Sequence, residues 1–333
     1  CLCILHKHPL VSLRFFVSIP LKYSHFDWLF LQIPMMATHS CNTSALHPYV
    51  GRFAPSPSGA LHFGSLIAAL GSYLRARSEG GKWLIRVEDI DPPREVAGAA
   101  DDILRTLEAY GFEWDDAVLY QSARTEAYQA KLDELLAEDN AYFCQCSRKQ
   151  IQAMGGIYDG RCHRLATPHH SGAVRLVNRA QVAEFTDNLM GKVIVDRAFA
   201  AEDFIIKRSD GLYAYQLAVV LDDAYQGITE VVRGYDLIEA SCRQLSLYQT
   251  FGLTAPQWLH LPLASLSPGF KLSKQNHAQA IDKQHPQASL NAALAFLGQA
   301  PVELTTAPQM LAQAVAQFQL SAIPKQREIL IAP

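Results

Sequence analysis

Fifteen residues, "GRFAPSPSGALHFGS" from Gly51 to Ser65, gather the side-chain types that handle phosphate. Pro55 and Pro57 fix φ and stiffen a turn, while Gly59 and Gly64 let backbone approach a ligand closely. His62 stands at the mouth of an apolar run, where the N–H groups that open a helix favour an anion. Its ring can donate a hydrogen bond to phosphoryl oxygens as negative charge builds there. Far along the chain, "KLSK" puts Lys271 and Lys274 on a glycine-adjacent loop that can close over a triphosphate. Each piece alone is also what a solvated loop looks like. A third group is "CQCSRKQIQAMGGIYDGRCH", with Cys144, Cys146 and Cys162 in one short window. Three thiolates supply most of a tetrahedral Zn²⁺ shell, and an oxygen or imidazole must complete it. Tyr158 and His163 are the rival fourth ligands; reduced cysteines without metal are the plain alternative. No open position or second catalytic group stands nearby, so the metal reads as structural.

The elements around these residues say how they could meet. "YVGRFA" is a strand candidate, and "LIAALGSYLRARSEG" has apolar residues at helical spacing before a Gly80-Gly81 stop. "KWLIRVEDID" reads as a strand with an acidic carboxyl end, and "AADDILRTLEAYGFEW" as a helix stopping at Gly111. Strand, helix, strand, helix implies parallel strands with right-handed crossovers, whose ligands bind at the strands' carboxyl ends. The opening turn and "VEDID" both sit at such ends. The cysteine window breaks the rhythm. After it, "DFIIKRSDGLYAYQLAVVLDDAYQGITEVVRG" reads as strand-rich, with a hairpin around Ser209-Asp210-Gly211. "DLIEASCRQLSLYQTFG" is a helix, "LPLASLSPGFKLSKQN" a loop, and the last stretch two short helices.

Of the 333 residues, 49% are apolar and 18% charged, with a net charge of −3. This is ordinary for a globular enzyme, and any nucleic-acid partner would need a local basic face. Seven cysteines are too few and too scattered for a secreted disulfide framework, which favours a reducing, cytoplasmic setting. Residues 1–34 mix aromatics, histidines and basic residues without period. They lack a signal-peptide pattern, and no apolar run reaches the roughly 20 residues that cross a bilayer. Residues 1–46 are therefore expected to be a non-conforming extension, disordered or not native, with translation starting at Met35 or Met36.

"HFGS" early and "KLSK" late resemble the HIGH and KMSKS signatures of class I aminoacyl-tRNA synthetases. The wider strings "RFAPSPSGALHFGS", "RVEDID", "YQLAVVLDDAYQGITEVVRGYDL" and "KLSK" resemble the glutamyl- and glutaminyl-specific branch, from about Gly51 to Asn276. The implied fold is α/β: a Rossmann-like parallel sheet over 47–140 and 201–276, a zinc-bearing insertion over 141–200, and a short helical region over 277–333. The resemblance implies His62 and Lys274 as catalytic residues, and His62, Gly64, Ser65, Lys271 and Lys274 as ATP ligands. It assigns Arg52, Phe53, Ala54, Pro55, Ser56, Glu88, Tyr215 and Arg233 to glutamate, with the arginines on carboxylates and Glu88 on the α-ammonium. Asp222, Asp223 and Asp236 fall in the same blocks, either as substrate contacts or as structural partners. The related short synthetases use three cysteines and a tyrosine at this spacing, which favours Tyr158 as the fourth zinc ligand. Two departures stand out: Ser65 replaces the second histidine of HIGH, and Gln275 the final serine of KMSKS.

Residues 277–333 are too few for the anticodon-reading helical region of a full glutamyl-tRNA synthetase. In this short form with a cysteine-bearing insertion, the chain resembles the tRNA-modifying glutamyl-queuosine tRNA(Asp) synthetase family, whose members join glutamate to the cyclopentenediol of queuosine. The implied co-substrate is ATP with Mg²⁺. The implied partners are L-glutamate and tRNA(Asp) carrying queuosine, with the protein a monomer away from membranes. Ser147 to Gln150, Arg161 and Arg164 are candidates for phosphate contact. A truncated synthetase charging the 3′ end of tRNA(Glu), and a non-catalytic amino-acid or tRNA-binding module, are the competing readings.

Overall fold

The structure, a computed structural model, describes residues 48–272 and 279–331. Lys274, Gln275, Asn276, Met35, Met36 and the whole 1–46 extension lie outside the described residues.

Strand β1 (Val50–Phe53) runs into the proline turn and then helix α1 (Phe63–Ser78). β2 (Lys82–Val87), α2 (Ala99–Ala109) and β3 (Leu119–Tyr120) follow, and the three strands form a parallel sheet in the order β1-β2-β3. Arg52 lies opposite Leu84, and Arg86 opposite Leu119. Helix α1 buries Leu66, Ile67, Leu70 and Leu74 against this layer, and Arg75 and Arg77 in its last turn suit the negative end of the helix dipole. Tyr73, Trp83 and Phe112 pack ring against ring beneath it, with Tyr73 edge-on to Trp83 at 5.1 Å and to Phe112 at 5.2 Å.

After α3 (Thr125–Ala137) the chain leaves the parallel layer. β4 (Ala141–Cys144), α4 (Arg148–Ala153), β5 (Ala173–Leu176), the hairpin β6 (Glu184–Asp187) and β7 (Gly191–Ile194), α5 (Arg197–Ala201) and β8 (Ile205–Lys207) come next. β4, β5 and β8 make an antiparallel sheet in that order. The chain returns through α6 (Tyr215–Tyr225), β9 (Glu230–Gly234), α7 (Ala240–Thr250) and β10 (Gln257–Leu261). β9 and β10 are parallel, and β9 is tied alongside β1 where the Thr229 N–H donates to the Val50 carbonyl at 2.9 Å.

Two expectations need correcting. The turn at Ser209-Asp210-Gly211 is present, with the Arg208 N–H donating to the Leu212 carbonyl at 2.8 Å. The stretch behind it is not a run of strands, because Tyr215–Tyr225 is helix α6. That helix buries Leu217, Ala218, Val219, Val220, Asp222 and Asp223, so its sequence shows little amphipathic period and its paired valines read as strand. The segment expected as one loop holds β11 (Leu263–Ser267) and β12 (Phe270–Lys271), with Pro268 and Gly269 forming the turn between them. Helices α8 (Pro286–Phe296) and α9 (Ala307–Gln317) are the two expected at the end, and β13 (Glu328–Leu330) then pairs in parallel with β11.

Candidate active site

His62 is the N-cap of α1, and its Nδ1 accepts the Gly64 backbone N–H at 3.1 Å. A neutral ring that accepts at Nδ1 carries its proton on Nε2, so the outer nitrogen is the donor. A side chain at Gly64 would set its Cβ 3.0 Å from the His62 ring, which explains the glycine at that step. The first turn of α1 holds no acidic residue, leaving the helix's positive end uncompensated by a carboxylate. Pro55 and Pro57 bind the turn to its surroundings through backbone: their carbonyls accept from Glu88 N–H at 3.0 Å and Val96 N–H at 2.9 Å.

A cavity of about 390 Å³ opens over this turn. Phe53, Pro55, Ser56, His62, Gly64 and Ser65 line one side, with Lys271 and Leu272 opposite. Lys271 pairs with Asp236 at 2.5 Å, and Ala280 forms a β-bridge with His62. A second cavity, about 580 Å³, shares Ser56 and Ser58 with the first and is lined by Glu88, Gln121, Arg208 and Tyr215. Arg52, Ala54 and Arg233 do not line either cavity.

The two arginines form the layer behind these walls. Arg52 donates from Nε to Asp223 Oδ1 at 3.0 Å, and Arg86 reaches the same oxygen at 2.7 Å. Burial opposes ionisation of Asp223, but the two guanidiniums outweigh it and hold its carboxyl below the ordinary range. Glu88 lies 3.4 Å from Arg86; burial pushes its carboxyl up, with Arg86 and Arg52 pulling the other way. Arg233 donates to the Tyr215 hydroxyl at 3.2 Å and to His260 Nε2 at 3.1 Å. Asp222 is structural: it accepts from Gln121 at 2.9 Å, Tyr128 at 2.5 Å and Arg124 at 3.1 Å. Arg86, Asp187 and His260 were missed from the sequence. Arg86 sits inside "RVEDID", where a basic residue amid an apolar strand is a signal; the other two carry none.

The cysteine window comes together as the spacing suggested. The Sγ atoms of Cys144, Cys146 and Cys162 lie within 4.8 Å of one another, and those of Cys146 and Cys162 are 3.6 Å apart. Tetrahedral Zn–S bonds of about 2.3 Å need sulfurs about 3.8 Å apart, so this donor set fits the ion. Tyr158 is buried with the thiols, and its hydroxyl accepts the Cys162 N–H at 2.8 Å. His163 is exposed and stacks on Tyr142 at 4.8 Å, outside the sulfur cluster. Burial and the neighbouring thiols push Cys146 up to about 12. The Arg175 guanidinium lies 3.8 Å over the Tyr158 ring, and Glu202 accepts the Tyr158 N–H at 3.1 Å.

Among the described residues no helix is long and apolar enough to cross a membrane. Residues 49–301 match the family described as class I (E and Q) tRNA synthetases, catalytic domain. A protein named glutamyl-Q tRNA(Asp) synthetase from Shewanella oneidensis is 86% identical over 297 residues, covering 89% of this chain and 99% of that one. The protein of that name in Escherichia coli K12 is 55% identical over 280 residues, covering 83% and 91%. In fold the chain is similar to a crystal structure of a glutamate tRNA ligase from Elizabethkingia meningosepticum, in complex with its amino acid. The TM-score is 0.70 at 24% identity, with 84% of this chain and 66% of that chain covered. With matches at this identity running nearly end to end through its relatives, the chain belongs to the glutamyl-Q tRNA(Asp) synthetase family, a class I, glutamyl-tRNA synthetase-like family of ATP-dependent, tRNA-modifying ligases.

Proposed function

We propose that the protein activates L-glutamate with ATP as glutamyl-adenylate and transfers the glutamyl group to the cyclopentenediol of queuosine in the anticodon of tRNA(Asp). One observation supports this most: the cavity lined by His62 and Lys271 shares Ser56 and Ser58 as lining residues with a second lined by Glu88 and Tyr215. ATP, with its Mg²⁺, would occupy the first and glutamate the wall they share.

The glutamate α-carboxylate oxygen attacks the α-phosphorus, the bond to the β-phosphate breaks, and pyrophosphate leaves. His62 Nε2–H and the backbone opening α1, at Gly64 and Ser65, meet the developing phosphoryl charge; Lys271 and Lys274 close over the leaving phosphates. Arg52 and Arg233 act on the carboxylates from behind the wall built by Phe53, Pro55 and Ser56, with Ala54 outside the lining of both cavities. Glu88 meets the α-ammonium, and Tyr215 extends the Arg233 contact into the second cavity. The adenylate is a mixed anhydride, so a ring hydroxyl of queuosine then attacks its acyl carbon, losing its proton as AMP departs. The second cavity is the opening through which that ring would enter. Zn²⁺ held by Cys144, Cys146, Cys162 and Tyr158 would brace the inserted lobe over 141–200 and take no part in either step.

Glutamate-dependent pyrophosphate exchange, run with and without tRNA, tests the first half; no exchange at high enzyme would leave only a binding module. Labelled glutamate retained on tRNA(Asp) bearing queuosine, and absent from the same tRNA lacking it, tests the second half. Label persisting on queuosine-free tRNA would favour charging of the 3′ end.

A further inference from the structure

Arg233 has five N–H donors. One Nη2 hydrogen meets Ser241 Oγ at 2.8 Å and the other the Leu237 carbonyl at 3.2 Å. Nε donates to His260 Nε2 at 3.1 Å, and Nη1 to the Tyr215 oxygen at 3.2 Å. Among the described residues the second Nη1 hydrogen meets no acceptor, and it lies next to a Tyr215 hydroxyl that borders the second cavity and already accepts from Arg233. The aim of that pair depends on what fixes the guanidinium plane, and the Nε contact is the one made by a rigid ring.

His260 is fully buried and lies directly opposite Arg233 across the β9–β10 pair. Its Nδ1 is 2.7 Å from Asp187 Oδ2, while Asp187 Oδ1 accepts the N–H groups of Leu189 at 3.0 Å and Met190 at 2.8 Å in the turn after β6. An ionised carboxylate can only accept, so the ring proton belongs on Nδ1 and Nε2 keeps its lone pair for Arg233. The opposite tautomer, or an imidazolium, would set N–H against N–H inside the core. Both nitrogens of a buried histidine need partners, and here, stacked on Trp258 at 6.3 Å, the ring meets a carboxylate at one nitrogen and a guanidinium at the other.

We infer that His260, kept in its Nδ1–H form by Asp187, is a positioning residue for the substrate carboxylate: it orients Arg233 so that Nη1 and Tyr215 present their remaining donors together. The inference rests on the reading of Arg233 as a carboxylate ligand. It also ties the β6–β7 hairpin, inside the inserted stretch, to the amino-acid site.

The test is pyrophosphate exchange on the full chain, with glutamate KM, ATP KM and kcat measured separately and Tm recorded beside them. His260→Ala should raise glutamate KM about tenfold or more, since the buried, charged Arg233 donor loses its acceptor, with ATP KM within about twofold. His260→Gln, whose amide can accept from Arg233 and donate to Asp187, should return glutamate KM to within about threefold of wild type. Arg233→Lys separates the two layers of the idea. If it leaves glutamate KM unchanged, the carboxylate reading fails; if it raises KM and His260→Ala does not, only the positioning role fails. A uniform loss in kcat and both KM values tracking a fall in Tm would mark His260 as core and overturn it. Should His260→Ala not fold, ¹⁵N-histidine spectra of the wild-type protein decide. Nδ1 should carry the proton at neutral pH, and the Nε2 resonance should move on glutamate saturation; a proton on Nε2, or no movement, overturns the proposal.

Discussion

Glu88 and Asp223 are both carboxylates near Arg86, yet burial and pairing assign them opposite tasks. Asp223 is spent on two buried guanidiniums at 3.0 and 2.7 Å, so Asp223→Asn should destabilise the fold by about 3–5 kcal/mol, read from urea unfolding. Glu88 keeps only a 3.4 Å contact and borders a cavity, so Glu88→Gln should leave stability nearly intact. Glutamate affinity should instead fall by about 1–3 kcal/mol, measured by calorimetry, because the bound ammonium loses its counter-charge. His260 gives a pH signature. Burial and Arg233 hold its pKa down at about 4 against about 6.5 in the unfolded chain, with Asp187 only partly offsetting them. The unfolded state therefore binds the extra proton first. Stability is full above about pH 6.5 and falls as pH drops toward 4, by about 3 kcal/mol. Denaturant midpoints at pH 7, 6 and 5 should show this slope in the wild type and a flatter one in His260→Gln.

Among the elements, α1 is the one on which the site depends, since its N-cap is His62 and its body presses the sheet. Gly71 allows that contact: a Cβ there would fall 2.5 Å from Leu261 Cδ1. Alanine would gain about 1 kcal/mol of helix propensity, but overpacking against a buried Leu261 costs about 1–3 kcal/mol, so Gly71→Ala should lower Tm. The strands and helices of the first half, from β1 through α2, were legible because β1 and β2 are short buried runs and α1 and α2 carry apolar residues at helical spacing up to glycine stops. α6 was not, because burial on nearly every side removed its period, and β11 and β12 were not, because Pro268 and Gly269 look the same in a tight hairpin as in an open loop. The cysteine window was legible as a candidate cluster because three thiols at that spacing can share one ion, and the fold does bring them together. Residue chemistry alone left Tyr158 and His163 as rivals, and the resemblance favoured Tyr158; in the fold Tyr158 packs with the sulfurs and His163 stacks on Tyr142. Cys144→Ser should release bound zinc, read by metal analysis, and lower Tm; a parent protein purified without zinc would end the assignment.

For the whole molecule, a net charge of −3 supplies no general attraction to tRNA, so contact must be local. Arg148 and Lys149 are exposed on α4, while Arg161 pairs with Asp159 at 2.8 Å. Binding of tRNA should therefore weaken steeply between about 50 and 200 mM salt, and Lys149→Ala should reduce the slope of log K against log salt by about one. A slope near zero would remove phosphate contact from the picture. The tail of the chain carries a consequence of its own. Glu328 on β13 accepts from the Ser265 hydroxyl at 2.8 Å and the Gly269 N–H at 3.1 Å, clasping the hairpin that bears Lys271. A protease cut ahead of Glu328 would thus unlatch the proposed nucleotide side while leaving the proposed amino-acid wall standing. Such a clipped enzyme should still take up glutamate yet fail to spend ATP, which makes the intactness of its last few residues the first thing to check in an inactive preparation.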